Sequence, residues 1–276
     1  MTSSYSSFHW WGHFLVGFDL GGAVVGVSGI DRDPSPRPLL LAVGLCSVKR
    51  ALVIEHDERG PVAGVGEHLV ERGFELEVFR VLDDADDPVS TKPFPDATDY
   101  DILILTGSPC SVTDTEGIGS WIGREIEMVG RAHESGVPVL GLCFGGQVLA
   151  AALGGEVSRT DRPEFGWHLI ESDLPEVVAE GPWFEWHFDT FTVPEGAVEV
   201  ARTGDTPQVF RIGRSVGTQF HPEITPRLTD LWVGMDASDL VAHGVDPDAM
   251  LAETRAEAEG NRSRSDALVD WFLDGD

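Results

Sequence analysis

The sequence predicts an α/β fold of three layers: a mostly parallel central sheet flanked by helices, with a small antiparallel strand addition. Three observations carry this expectation. Short apolar runs of strand length recur between Ala51 and Leu142, and helix-spaced segments separate them. Past Gly155 the texture changes to short strands joined by tight turns. Strand and helix alternating at these lengths leave room for crossover connections, which parallel pairing requires.

Residues 51–55 (ALVIE) are a short apolar run, the mark of a strand buried on both faces. Residues 61–72 carry helical spacing through Val62, Val65, Leu69 and Val70, with Gly73 as the stop. Residues 74–81 alternate as a second strand, and residues 101–105 (DILIL) make a third that ends at Thr106-Gly107-Ser108-Pro109. Residues 121–134 read as a helix stopped by Ser135-Gly136. A fourth strand follows at 137–142 (VPVLGL), then a helix at 145–153. Beyond Gly155 strands are expected at 156–159, 167–171, 198–202, 209–212 and 215–220. Turns at Thr203-Gly204-Asp205 and Gly213-Arg214 point to hairpins. Helices return after Pro226: one at 246–260, with Asp246 as N-cap and Pro247 at its first position, and another at 265–273.

The expected organisation is an extension over residues 1–47 and one domain over 48–276, with C-terminal helices from about 225 to 276. The first 47 residues hold a Ser/aromatic start, a Gly/Val stretch and the linker Asp33-Pro34-Ser35-Pro36-Arg37-Pro38. They show no sustained period, which suits a poorly ordered extension, translated from upstream of the natural start; the alternative is an added strand or helix packed on the main domain.

With 47 acidic against 19 basic residues, the formal charge is −28. Such a field repels phosphate backbones and anionic lipid, so neither nucleic acid nor a membrane surface is an expected partner. The acidity suits either a well-solvated surface or adaptation to high salt, where screening removes self-repulsion. Salt adaptation predicts a melting temperature that rises in molar salt; the solvated surface predicts no rise. The three cysteines, Cys46, Cys110 and Cys143, lack CxxC or zinc-like spacing. An odd count argues against a disulfide framework and for a reducing cytosol. No run of about 18 apolar residues offers a membrane span. Residues 14–30 are interrupted by Asp19 and preceded by no Lys or Arg, unlike a signal peptide.

The chemistry concentrates at Gly141-Leu142-Cys143-Phe144-Gly145-Gly146-Gln147. A cysteine between a buried strand and a helix sits on a sharp strand-to-helix turn, a nucleophile elbow. Gly141, Gly145 and Gly146 let the backbone turn and a substrate approach. The helix N-terminus beneath the sulfur favours its negative, nucleophilic form. Alone, a strand-end cysteine is more simply a small buried hydrophobe. What changes that reading is Gly217-Thr218-Gln219-Phe220-His221-Pro222-Glu223. A histidine ending an apolar strand can offer one ring nitrogen to the sulfur, while Glu223 holds the other. The two halves must meet at neighbouring strand ends, where open α/β sheets form their ligand sites. A third piece is the turn after Leu105: backbone N–H groups around Ser108, with that of Phe144, could form an oxyanion hole. Cys110 beside it is read as a small residue filling a turn. Trp183, Phe184 and Trp186 suit either an aromatic binding box or the packing of a strand.

These motifs resemble the class I, triad-type glutamine amidotransferase domain, the glutaminase half of GMP synthetase and its relatives, over about residues 50–224. The resemblance implies a flavodoxin-like class I glutaminase fold and no cofactor or metal. It implies Cys143 as the nucleophile that forms a γ-glutamyl thioester, His221 as base and acid, and Glu223 as the group orienting it. It further implies Ser108 and Phe144 as oxyanion donors, with Gly107 beside them, and Gln147 as a substrate contact. Trp186-His187-Phe188-Asp189 resembles the family's His-x-Asp segment, whose backbone cradles the glutamine α-amino and carboxylate groups. Two positions depart from the pattern: Ser108 where Gly-Gly-Pro is common, and Gly146 where GMP synthetase-like members usually carry histidine. No ATP-binding Gly-rich loop follows Ile224, so the nearest likeness is to free-standing GMP synthase-like amidotransferases. Three functions are therefore weighed: a glutaminase passing ammonia to a separate synthetase subunit, a γ-glutamyl peptidase using the same triad alone, and a silent regulatory module on the same fold.

Overall fold

The computed structural model describes residues 48–275, so the reading of residues 1–47 lies outside the described part. Within it, β1 (Lys49–Glu55), α1 (Ala63–Glu71), β2 (Phe74–Arg80), β3 (Ile102–Leu105), α2 (Ile122–Glu134), β4 (Val139–Leu142) and α3 (Phe144–Ala152) follow one another. The apolar runs predict these elements to within about two residues at each end. The second half supplies β5 (Val157–His168), β6 (Glu171–Ser172), β7 (Trp183–Phe191), β8 (Val198–Thr203), β9 (Thr206–Ile212) and β10 (Ser215–Thr218). It closes with α4 (Pro226–Ala242) and α5 (Pro247–Asp274).

Strands β2, β1, β3, β4 and β10 pair in parallel in that order; β9, β8 and β6 continue the sheet antiparallel. A separate antiparallel pair, β5 with β7, is the small addition. The unbroken apolar run of β1 follows from having helices on both sides. Ala51 and Val53 face a core shared with Val65 and Leu69 of α1 and Leu268 and Phe272 of α5. Leu52 and Ile54 face the opposite core, with Met128 and Val129 of α2 and Val148 of α3. Among the described residues, no helix is long and apolar enough to cross a membrane.

Two expectations need correction, and one open alternative is resolved. The strands expected at 156–159 and 167–171 are largely one strand, β5, with a register shift between Arg159 and Glu164 and a positive φ at Gly166. The charged stretch in its middle hides the alternation, and Glu171 belongs to β6 in the main sheet. The residues around Trp183 to Trp186 lie on β7, resolving the aromatic cluster as strand residues. The helices expected at 246–260 and 265–273 are one continuous helix, α5, capped as expected by Asp246, whose side chain accepts from the amides of Asp248 and Ala249. Gly260 does not stop it, although a helix-interior glycine costs about 1 kcal/mol. Tertiary anchoring offsets that cost: the Asn261 amide donates to Pro222 O and Ile224 O (3.3 and 3.2 Å), and Ser265, Leu268, Val269 and Phe272 are buried.

Candidate active site

Cys143 is the residue between β4 and α3, at φ +51° and ψ −107°. A non-glycine residue rarely holds a positive φ, and here the surroundings hold it there. Its N–H donates to Thr218 O of β10 (2.9 Å), and its carbonyl accepts from Gln147 N (3.0 Å), opening the helix. The neighbouring glycines follow from close backbone approach. A Cβ at Gly145 would lie 2.3 Å from Leu105 O, and one at Gly141 would lie 2.3 Å from Gly145 O. At Gly146 it would stand 2.4 Å from Thr218 O, so this backbone leaves no room there for a side chain. Gly145→Ala is expected to destabilise the fold by about 1–3 kcal/mol in urea titration, as overpacking does when the obstacle is backbone.

His221 lies beyond the end of β10, its N–H donating to Phe184 O of β7 (2.9 Å). Its Nδ1 is 2.8 Å from Glu223 Oε1, and its Nε2 is 3.5 Å from Trp186 O. The Cys143 sulfur lies 3.9 Å from the same carbonyl oxygen. Burial works against a charge on His221, yet its pKa is raised well above the ordinary value. Attraction to the neighbouring Cys143 sulfur and to the Glu223 carboxylate, which lies 2.8 Å from Nδ1, outweighs the desolvation. Sulfur and imidazole, 78 residues apart in sequence (221 − 143), thus meet at one carbonyl oxygen, and the carboxylate two residues on lies against the other ring nitrogen. The loop carrying His221 and Glu223 is braced twice: Asn261 of α5 binds it as above, and Gly64 N of α1 donates to Glu223 O (3.1 Å).

Two adjoining cavities meet at Cys143, and Ser108, Pro109, Trp186 and Asp236 also line both. The larger, about 240 Å3, reaches Phe144, Gln147, His187, Phe188, Asp189 and Arg159. The smaller, about 150 Å3, holds Gly107 and His221 against Trp232 and Met235 of α4. Phe144 is the first residue of α3, so its amide has no intrahelical acceptor. It opens onto the larger cavity opposite Ser108, and Gly107 abuts the imidazole: a Cβ there would be 3.1 Å from His221 Cε1. The Gln147 amide donates to Asp189 O (3.1 Å) and Gln219 Oε1 (3.3 Å).

Comparison with known proteins bears on this arrangement. Residues 63–233, more than half of the chain, match the model of the class-I glutamine amidotransferases. The chain belongs to this family. It is 32% identical over 160 residues to a GMP synthase (glutamine-hydrolyzing) from Anaplasma marginale, covering 49% of this chain and 30% of that protein. To the Thermus thermophilus GMP synthase (glutamine-hydrolyzing) it is 37% identical over 141 residues, covering 45% and 25%. The match therefore takes in less than a third of either relative. Crystal structures of glutamine amidotransferases share the fold. One from Thermotoga maritima has TM-score 0.71 at 24% identity, over 82% of this chain and 98% of that one. One from Methylobacillus flagellatus has TM-score 0.73 at 24% identity, over 83% and 96%.

On this class-I amidotransferase frame, β7 divides its side chains between two tasks. Phe184 is core, and Trp183 stacks on Phe220 (4.2 Å between ring centroids). Trp186 lines both cavities and meets Trp232 edge-on at 5.8 Å. On the opposite face, buried His187 donates from one ring nitrogen to Asp189 O (3.0 Å). Its Nε2 faces Glu164 (3.1 Å) and wholly buried Glu185 (3.4 Å). These three ligand atoms lie within 4.8 Å of one another, which is metal-ligand spacing, and burial pushes the Glu185 carboxyl up, toward its neutral form. Burial opposes a charge on His187; hydrogen bonds to Glu164 and Glu185 prevail and push its pKa up to about 10. The folded value exceeds the unfolded one of about 6.5. The stabilisation is thus complete below that pH and is lost as pH rises through about 10. Melting temperature is expected to fall between pH 7 and 10.5, and His187→Gln to flatten that decline.

Several residues that shape this amidotransferase site escape the sequence motifs. Gln219 donates to the Cys143 sulfur (3.7 Å); its place in the strand-end segment before His221 is the one available signal. His56, just after β1, binds Gly107 O (3.2 Å) and Glu125 (3.1 Å) and packs edge-on against Phe144 (4.6 Å), bracing both the Gly107 turn and the start of α3. A polar residue ending a buried strand on the ligand rim is its signal. Asp236, Asp239, Trp232 and Met235 arrive on α4, whose sequence gives no hint of the cleft it walls. Cys110 is half-buried, packing against one core on one side and lining the larger cavity on the other; burial pushes its thiol up, away from reactivity.

Proposed function

We propose that this protein hydrolyses the side-chain amide of a γ-glutamyl substrate, glutamine being the simplest, through Cys143, His221 and Glu223. The observation that carries this reading is that the Cys143 sulfur and His221 Nε2 meet at the same Trp186 carbonyl oxygen (3.9 and 3.5 Å) while the other ring nitrogen lies 2.8 Å from Glu223. The sulfur attacks the γ-carbonyl carbon, and the carbonyl oxygen, turning negative, takes hydrogen bonds from the amides of Ser108 and Phe144. The carbon–nitrogen bond breaks, and the amine leaves with the proton that His221 carried from the thiol. Water, deprotonated by His221, then hydrolyses the thioester to glutamate and restores the thiol.

The larger cavity suits the zwitterionic end of such a substrate. Arg159, stacked over Phe188 at 4.3 Å, offers a cation for the α-carboxylate, and Asp236 and Asp239 offer anions for the α-ammonium. The backbone of Trp186, His187 and Phe188, with Gln147, forms its wall. The domain performing this chemistry spans residues 48–276, its C-terminal helices closing the cleft. With glutamine as substrate the product is ammonia, and its receiver is a separate synthetase subunit.

The purified chain is expected to release ammonia and glutamate from glutamine. Acid quenching during turnover should trap a γ-glutamyl adduct on the peptide bearing Cys143, read by mass spectrometry. An adduct on another residue, or no glutamate from any γ-glutamyl amide, would overturn the reading.

A further inference from the structure

The two cavities at Cys143 differ in what they offer, and His221 sorts them. In amide hydrolysis the departing nitrogen takes its proton from His221, so any group attached to that nitrogen extends past the imidazole. His221 lines only the smaller cavity, whereas Phe144, Gln147 and Arg159 line only the larger. The glutamyl part and the oxyanion therefore belong to the larger cavity, and the smaller one is the leaving-group side. Its volume is about 150 Å3, whereas a water-sized group such as ammonia needs only about 10–15 Å3.

Its walls are largely apolar and aromatic, with Asp236 and Ser108 at the edge shared with the larger cavity. Trp232 meets the His221 ring edge-on at 4.9 Å and donates its indole N–H to Arg59 O (2.6 Å), which fixes the plane of the indole. Trp186 and Met235 flank it, and Gly60 packs against Gly107 O, where a Cβ would lie 2.7 Å away. The Arg59 guanidinium is drawn away to Asp86, so it does not fill the space with a free charge. From this juxtaposition we infer that the substrate is an N-substituted γ-glutamyl amide, whose bulky apolar or aromatic amine occupies the lobe between Trp186, Trp232 and Met235.

The inference rests on the Cys143 reading and changes only its leaving group. The thioester forms as before, the amine departs as a neutral amine with the proton from His221, and water completes the cycle.

Kinetics on the full chain test it, with γ-glutamyl benzylamide, γ-glutamyl methylamide and glutamine as substrates. The first two release primary amines and differ mainly in the phenyl ring; benzylamine is the weaker base, a leaving-group advantage that Met235→Trp does not alter. Benzylamide is expected to show a kcat/KM about ten- to a hundredfold above methylamide, as ring burial predicts. Met235→Trp, which fills the lobe, is expected to lower the ratio of benzylamide to glutamine kcat/KM about tenfold. Glutamine turnover with benzylamide no better than methylamide would overturn the inference and leave the triad reading standing. A ratio unmoved by Met235→Trp would overturn it equally. Hydrolysis of none of the three would remove both.

Discussion

Cys143→Ala is expected to bring amide hydrolysis down to the solution background, a loss of roughly 10⁴- to 10⁶-fold, with the fold intact. The size of the loss follows from covalent chemistry: without the sulfur no thioester forms, and His221 has nothing to activate. The variant keeps the elbow, because alanine removes only Sγ and meets the same φ of +51° as cysteine. The three tight glycine contacts and the Cys143 N–H to Thr218 O bond do not involve the sulfur. Urea titration should place its stability within about 1 kcal/mol of the parent, the range for a small volume change. Turnover at the parental rate would mean another nucleophile is at work.

The second large effect is expected from Glu223→Gln. Glu223 is 2% exposed, and Oε1 receives the His221 ring while Oε2 has no hydrogen-bond partner among the described residues. Glutamine fits the same space but is neutral, and it can present N–H to the ring instead of an acceptor. The imidazole then loses the charge that favours its protonated form and the contact that selects its tautomer. A fall in kcat of about 10²- to 10⁴-fold is expected, by analogy of role with orienting carboxylates in other triads. The pH profile gives a further signature. Glu223 contributes to the raised pKa of His221, so its removal lowers that value, and the imidazolium beside the sulfur is lost at a lower pH. The alkaline limb of kcat/KM should move toward acid, which a merely destabilised variant would not show.

Gln219 and Asn261 mark how far reading residues in order can go. Gln219 stands two positions before His221, so strand alternation could have placed it beside the sulfur. Asn261 is 39 residues beyond Pro222, in a stretch that reads as a helix end because of Gly260. Only the docked position of α5 turns it into a brace for the His221–Glu223 loop. The leaving-group lobe was illegible for the same reason. Trp232, Met235 and Asp236 face it because α4 lies across the cleft, and an Asp or Trp on a helix carries no mark of which cavity it will meet.

The arrangement of strands and helices, the elbow at Cys143 and the His221–Glu223 pair were determined by the chain text itself. Their signals are local: hydrophobic period, glycines where backbones touch, and a carboxylate two residues from its imidazole. Tertiary structure alone decided what surrounds them, from the Glu125–His56 brace 69 residues apart to the indole wall beside His221. Such contacts join side chains from separate elements, and their energy exists only after the sheet has brought those elements together.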